Sequence, residues 1–352
     1  MGWKTSPCQC CRCIGCEDWT SMAHVIIKGI GSHVPDCILS NADLEHRVDT
    51  TNEWIVGRTG IESRRICLDT ETTSDLGYEA AQKALKHAHI SSCDVDLIIV
   101  ATVTPDMQFP ATACIIQEKL KCTDIPCFDI NSACSGFIYA IDIARNFLLN
   151  NPMMKNVLVI GTEKMSSIVD WEDRATCVLF GDGAGAVVLS RDTDRDSEAG
   201  IIDVLIGADG HCASMLCCPG WGAAIPVNVE NVKKREYFIK MEGREVFKEA
   251  IKRMCAVVED ILLRNHLTID DVACVIPHQA NMRIIGAITD RLGIPSPKMY
   301  VNLQHRGNTS AASIPIAIDE ALQQGYIGPG DLVLTVAFGA GMTWGAALIR
   351  WK

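Results

Sequence analysis

The sequence predicts an α/β protein of two similar halves, and three observations carry that prediction. From His24 onward, short apolar runs alternate with stretches of helical period, the pattern of strands joined by helices. A repeat is visible inside the chain: residues 180–191 read FGDGAGAVVLSR and residues 338–351 read FGAGMTWGAALIRW. Each reads as an apolar strand, a glycine turn after phenylalanine, and a second apolar strand ending in arginine. The charged stretch 191–198 separates the two copies and places the halves at 22–195 and 196–352. Similar α/β halves meet face to face and bind ligands where strand ends converge.

Residues 1–21 stand apart. Cys8, Cys10, Cys11, Cys13 and Cys16 crowd a segment without apolar periodicity, which reads as a tail. Their spacing matches no paired zinc pattern and has no second half-site, so no metal is expected. A translation start at Met22 would remove the tail and open the chain on a strand. Strands are then predicted over 25–30, 95–102, 127–130, 157–161 and 176–180, with helices over 40–48, 73–88, 111–120 and 135–149. Capping residues precede the first two helices.

The stretch 126–149 carries the candidate nucleophile. Phe128 and Ile130 alternate with Asp129 and Asn131; then Phe137, Ile141, Ala144 and Leu148 follow a helical stripe. The period changes across Ser132, Ala133, Cys134, Ser135 and Gly136, small residues that permit a sharp turn and a close substrate approach. A thiol at a helix start meets unpaired N–H groups and the positive end of the helix dipole, which favour thiolate. The same N–H groups suit an oxyanion. Most free cysteines simply pack, and this chain has 18, so a nucleophile here needs partners.

The second half offers two. A strand over 272–276 stops at Pro277, and His278 stands before a helix whose Ile284, Ile288 and Leu292 share one face. Next to a helix N-terminus the imidazolium is disfavoured, so His278 is expected to be neutral. Gly307 and Asn308 precede small residues 309–313 at another turn into a helix, where Asn308 alone would read as an N-cap. Together, turns presenting Cys, His and Asn are more specific than any one of them. A neutral His and an Asn both donate to a single carbonyl oxygen, which stabilises an enolate.

Composition excludes other classes. At 48% hydrophobic and 21% charged the chain is ordinary for a soluble globular protein, and its formal charge of −11 argues against a nucleic-acid partner. The uncharged run 332–349 has the length of a membrane span, but Thr335, Gly339, Gly341, Thr343 and Gly345 break it into buried strands, so no membrane is expected. No stretch has the form of a secretory signal, which predicts a cytoplasmic protein with reduced thiols.

These residues resemble the thiolase superfamily of condensing enzymes, and most closely the β-ketoacyl-acyl-carrier-protein synthase III family. The resemblance runs from about residue 24 to the C-terminus, over NADL (41–44), EWIVGRTGI (53–61), ACSGF (133–137), FGDGAG (180–185), PHQAN (277–281), GNTSAAS (307–313) and 338–345. It implies a thiolase-like five-layered αβαβα fold and a catalytic triad of Cys134, His278 and Asn308. It further implies that an acyl-CoA acylates the cysteine and that malonyl-acyl carrier protein decarboxylates to attack the thioester, with no metal or organic cofactor. By the same resemblance Trp54 and Arg174 stack the adenine of CoA and Arg58 meets its phosphates. Lys248 and Arg283 meet the carrier protein, and Phe109 reaches into the acyl tunnel of the other subunit of a homodimer. Two positions depart from some members: Ala340 replaces a glycine, where positive φ would be costly, and Met342 replaces phenylalanine, which is expected to reshape the acyl pocket. The alternatives are a condensing enzyme of secondary metabolism with another acyl-CoA, one that uses malonyl-CoA, or a non-catalytic acyl-binding subunit. The last predicts a lost nucleophile, and a hydrolase would need a base for water that Asn308 does not offer.

Overall fold

The computed structural model describes residues 24–192, 194 and 197–352; the cysteine-rich segment 1–21 lies outside them. Strands β1 (His24–His33), β2 (Leu97–Ala101), β3 (Cys127–Ile130), β4 (Asn156–Glu163) and β5 (Gly183–Asp192) form one sheet in the order β1-β5-β4-β2-β3. The first three neighbours are antiparallel, and β4, β2 and β3 run parallel. Strands β6 (Gly200–Ala208), β7 (Cys274–Pro277), β8 (Leu332–Gly339) and β9 (Thr343–Arg350) form a second sheet in the order β6-β9-β8-β7. Its pairings are antiparallel, antiparallel and parallel, the same series as β1-β5-β4-β2. In the place of β3 the second sheet has a single parallel bridge between Val275 and Met299.

The helices are α1 (Thr73–His87), α2 (Thr112–Leu120), α3 (Gly136–Asn150), α4 (Gly243–Arg264), α5 (Met282–Leu292) and α6 (Ser313–Gln323). Helices α1 and α2 cover the outer face of the first sheet, and α4 and α5 that of the second. Between the sheets lie α3 and α6, so the layers run α, β, α, β, α. The stripe Phe137, Ile141, Ala144 and Leu148 is fully buried in this central layer, beside Ile314, Ala317, Ile318 and Ala321 of α6. With both faces covered, β2 is a continuous apolar run, LIIVA, every residue of it buried. Helix α1 starts on a capping box in which Thr72 and Asp75 satisfy each other's backbone N–H.

Each central helix is preceded by a tight turn of matching form: Ala133–Ser135 before α3 and Ser310–Ala312 before α6. The first residue of each is left-handed, Ala133 at φ 47° and Ser310 at φ 49°. Neither is glycine, so each conformation costs about 1 kcal/mol, which the surrounding packing offsets. The turns approach the sheets so closely that glycine is needed beneath them. A Cβ on Gly161 of β4 would lie 2.5 Å from the Ala311 carbonyl oxygen, and one on Gly339 of β8 would lie 2.8 Å from the Cys134 nitrogen.

One expected strand is absent. Residues 176–179 form turns, and only Phe180 makes a bridge, to Asn308. The reason is local competition for the ladder groups. The Cys177 N–H donates to the Asp173 carbonyl, the Thr176 hydroxyl to the Asp173 carboxylate, and the buried Arg64 guanidinium takes the Val178 carbonyl at 2.7 Å. The helix expected over 40–48 is shorter, Asn41–Glu45 on a Ser40 capping box. Helix Asn52–Thr59 and the long α4 lie outside the expected set. Because backbone faces Gly161 at contact distance, Gly161→Ala is expected to destabilise the protein by about 2 kcal/mol or more. Urea denaturation of the two proteins checks this.

Candidate active site

The turns and the end of β7 meet at a cavity of about 1130 Å³ whose wall includes Cys134, His278, Asn308 and Ser310. The three candidate catalytic side chains, far apart in sequence, therefore share one chamber. Cys134 follows the left-handed Ala133 and is almost wholly buried. Burial pushes its thiol up to about 12; Ser310 and its own backbone N–H pull the other way, and the charge of Glu163 adds to the rise. The expected preference for thiolate is thus opposed by the site, where desolvation outweighs the helix start and favours the thiol.

His278 stands at the end of β7, its backbone N–H donating to Val336 O at 2.7 Å. It does not begin a helix, because α5 starts only at Met282 under an Asn281 N-cap. The ring is neutral as expected, but the cause is burial, which lowers its pKa to about 3. Nδ1 is 2.6 Å from the Ser313 hydroxyl, which leaves Nε2 as the nitrogen available to a ligand. Asn308 is clamped by its backbone: its N–H donates to Leu179 O and its carbonyl accepts the Gly181 N–H. It caps no helix directly. Its Oδ1 accepts the Ser310 N–H at 2.8 Å, which leaves the NH₂ group for the cavity.

The remaining predicted residues lie around this chamber. The Arg174 guanidinium is 4.8 Å and the Arg58 guanidinium 5.7 Å from the Trp54 ring centroid, so the three form one basic aromatic cluster. It adjoins the cavity through Asn281, a wall residue whose amide donates to the Arg58 carbonyl. Arg283 lies over the ring of Phe247, also on the wall, at 5.6 Å, and Lys248, the next residue in sequence after Phe247, is paired with Glu245. Phe109 is 83% exposed, which excludes a packing role within the single chain. Positive φ falls on Gly341, so Ala340 carries no strain. Met342 is buried in the outer core of the second sheet and does not line the cavity, so the expected reshaping of the pocket does not come from its direct contact.

Sequence reasoning missed Glu163, Ser310 and Ser313. Glu163 ends β4, wholly buried, and accepts from the Thr102 and Thr104 hydroxyls and the Val103 N–H. Burial raises its pKa to about 7. The predicted strand stopped at residue 161, and nothing in the pattern marked an acid beyond it. Among the described residues no group of three or more His, Cys, Asp or Glu side chains is placed to hold a metal ion, and no helix is long and apolar enough to cross a membrane.

Two stacked sheets of matched topology, with these side chains at their converging strand ends, define a protein of the thiolase fold. Residues 128–210 match the model of the 3-oxoacyl-[acyl-carrier-protein (ACP)] synthase III family, and residues 262–351 match the model of its C-terminal region. The chain is 51% identical over 326 residues to the β-ketoacyl-[acyl-carrier-protein] synthase III of Caldanaerobacter subterraneus subsp. tengcongensis, covering 93% of this chain and 97% of the relative. It is 48% identical to that of Natranaerobius thermophilus, covering 94% and 100%. The crystal structure of 3-oxoacyl-[acyl-carrier-protein] synthase III from Aquifex aeolicus superposes with a TM-score of 0.85 at 46% identity, covering 94% of this chain and all of that one. The chain belongs to the β-ketoacyl-acyl-carrier-protein synthase III family.

The buried ionisable groups leave opposite marks on stability. Folded His278 resists protonation until about pH 3, whereas its unfolded form takes a proton near 6.5. Its contribution is present above 6.5 and is lost as pH falls, by about 1.4 kcal/mol per unit. Glu163 has the reverse sign: its raised folded pKa gives stability that is present below 4.5 and lost as pH rises through 7. A His278→Asn variant is therefore expected to gain on the native protein steadily between pH 6.5 and 4.5, read as the difference in urea midpoints. A constant difference would contradict the assigned burial of a neutral ring.

Proposed function

We propose that this chain catalyses the first condensation of fatty acid synthesis, joining a short acyl-CoA to malonyl-acyl carrier protein. The observation that carries the reading is the meeting of Cys134, His278 and Asn308, from three separate segments of the chain, on the wall of one cavity. The Cys134 thiolate attacks the acyl-CoA carbonyl, a sulfur–carbon bond forms, and the CoA thiolate leaves. The malonyl thioester then places its carbonyl oxygen against the His278 Nε2–H and the Asn308 NH₂. As the carboxylate departs as CO₂, its bonding electrons form an enolate at that oxygen, which both donors stabilise. The enolate carbon attacks the acyl group and expels the Cys134 thiolate. A neutral His278 suits this step, since it donates without first having to be charged.

The cluster of Trp54, Arg174 and Arg58 suits a flat adenine and its phosphates, with Arg174 lifting from the Trp54 ring to admit the base. Lys248 and Arg283 supply positive charge for an acidic carrier protein on a chain of net charge −11. Exposed Phe109 fits insertion into the partner subunit of a homodimer. The enzyme operates in the cytoplasm, where its CoA and carrier-protein substrates are made.

Intact-protein mass after mixing with acyl-CoAs, from acetyl to medium-chain, is expected to show one acyl adduct that is absent from Cys134→Ala. No adduct from any member of the series would overturn the reading. His278→Ala and Asn308→Ala are expected to keep the adduct but release CO₂ from malonyl-acyl carrier protein at least about 100-fold more slowly. Lys248→Glu and Arg283→Glu are expected to raise the KM for malonyl-acyl carrier protein about tenfold and leave acylation by acyl-CoA unchanged.

A further inference from the structure

A neutral imidazole carries one proton, on either of two nitrogens, and His278 can donate to an enolate oxygen only when that proton is on Nε2. The contact able to select this form lies on the other side of the ring, where Nδ1 is 2.6 Å from the Ser313 hydroxyl. Both residues are buried, at 3% and 2% exposure, so water does not complete the bonding of either. Among the described residues the Ser313 hydroxyl has no other hydrogen-bond partner. The two carbonyls that a hydroxyl at a helix start would ordinarily use are already engaged: Ser310 O accepts the Ser313 N–H, and Thr309 O accepts the Ala312 N–H.

The direction of this bond follows from what each choice leaves unpaired. If the ring donated, the Ser313 hydroxyl hydrogen would be buried without an acceptor. If the hydroxyl donates, only lone pairs on Oγ go unused, and a buried orphan donor is the rarer and costlier state. The helix adds to the preference. Ser313 opens α6, and the positive end of its dipole favours an electron pair over an N–H at the neighbouring Nδ1. We propose that Ser313 is a positioning residue for the condensation: its hydroxyl donates to His278 Nδ1, confines the ring proton to Nε2, and holds Nε2–H toward the cavity. The proposal rests on His278 acting as an enolate donor.

The same short segment orients the second donor. Asn308 Oδ1 accepts the Ser310 N–H at 2.8 Å, which turns its NH₂ group to the cavity, and the turn Ser310–Ala312 runs directly into Ser313. Residues 308–313 therefore fix the free N–H groups of both Asn308 and His278, and the segment is itself pinned where Ala311 rests on Gly161. Two donors referenced to one rigid piece of backbone keep a constant separation, which a single enolate oxygen requires. No proton is transferred: Nε2 keeps its proton while the oxygen accepts the hydrogen bond. Ser313 is not part of the cavity wall that holds Cys134, so acylation does not call on it.

The test is nitrogen NMR of the enzyme labelled with 15N-histidine, the His278 signals being those absent from His278→Asn, together with the rates of the two half-reactions. The native protein near neutral pH is expected to show Nδ1 without a proton and hydrogen-bonded, and Nε2 with a directly bonded proton. Ser313→Ala removes one oxygen at a helix start and is expected to fold. It should move Nδ1 to the position of an unbonded nitrogen and slow CO₂ release from malonyl-acyl carrier protein about tenfold, the loss of one hydrogen bond, with acylation of Cys134 by acetyl-CoA within about twofold of native. In a His278→Asn background the same substitution is expected to cost nothing more, because its effect acts through the ring. A native ring with its proton on Nδ1 would overturn the proposal, as would undiminished CO₂ release in a folded Ser313→Ala or an equal loss in the His278→Asn background. A native enzyme with the proton on Nε2 that releases no CO₂ from malonyl-acyl carrier protein would overturn the functional reading instead.

Discussion

The structure depends on the contact between two strained turns. Ala133–Ser135 and Ser310–Ala312 pack against each other at the middle of the central layer, and each rests on a glycine of the opposite half. Gly339 of β8 lies under Cys134, and Gly161 of β4 lies under Ala311. Gly136 lacks the Cβ that would crowd the Ala101 methyl of β2 at 3.2 Å. Because interiors are packed at crystal-like density, such contacts fix positions to a fraction of an ångström. They place the nucleophile of one half beside the Asn308 segment of the other. Arg64 extends the constraint outward, since it holds the 176–180 loop through the Val178 carbonyl, and that loop in turn clamps Asn308.

The same burial that fixes geometry decides the electrostatics. Cys134 is raised, Glu163 is raised and His278 is lowered, and in each case loss of hydration is the leading cause. The chamber therefore favours neutral forms throughout. Helix-start N–H groups, which alone would favour a thiolate, work against a larger penalty for charge on a buried side chain. This makes proton movement a required part of any acyl transfer at Cys134, and it makes neutral His278 a ready hydrogen-bond donor. Lys248 and Arg283, by contrast, are exposed and do not line the cavity.

What the sequence disclosed follows from which forces are local. The change of period at residues 130–137 located β3, the turn and α3, because strand and helix stripes are set by side chains on one short segment. The internal repeat pointed to β8 and β9 correctly, but misled in the first copy. There 176–180 has the apolar content of a strand, yet Asp173 and Arg64 take the groups a ladder needs, and Arg64 is more than a hundred residues away in sequence. Strand β5 pairs instead with β1 and β4. The neutrality of His278 was foreseen for the wrong cause, since the helix lies beyond it and burial by remote elements does the work. Glu163 and Ser310 were invisible for the same reason: their meaning comes from what the fold places beside them.

The most direct measurement is a single turnover with isolated acyl-enzyme. Protein acylated by acetyl-CoA and freed of excess CoA would be mixed with malonyl-acyl carrier protein, and CO₂, free Cys134 and acetoacetyl-acyl carrier protein counted together. The account predicts that all three appear in equal amounts, one per acylated site, and that Cys134→Ala yields no condensation product. Condensation product formed by Cys134→Ala, or CO₂ released while the acyl group stays on Cys134, would contradict it.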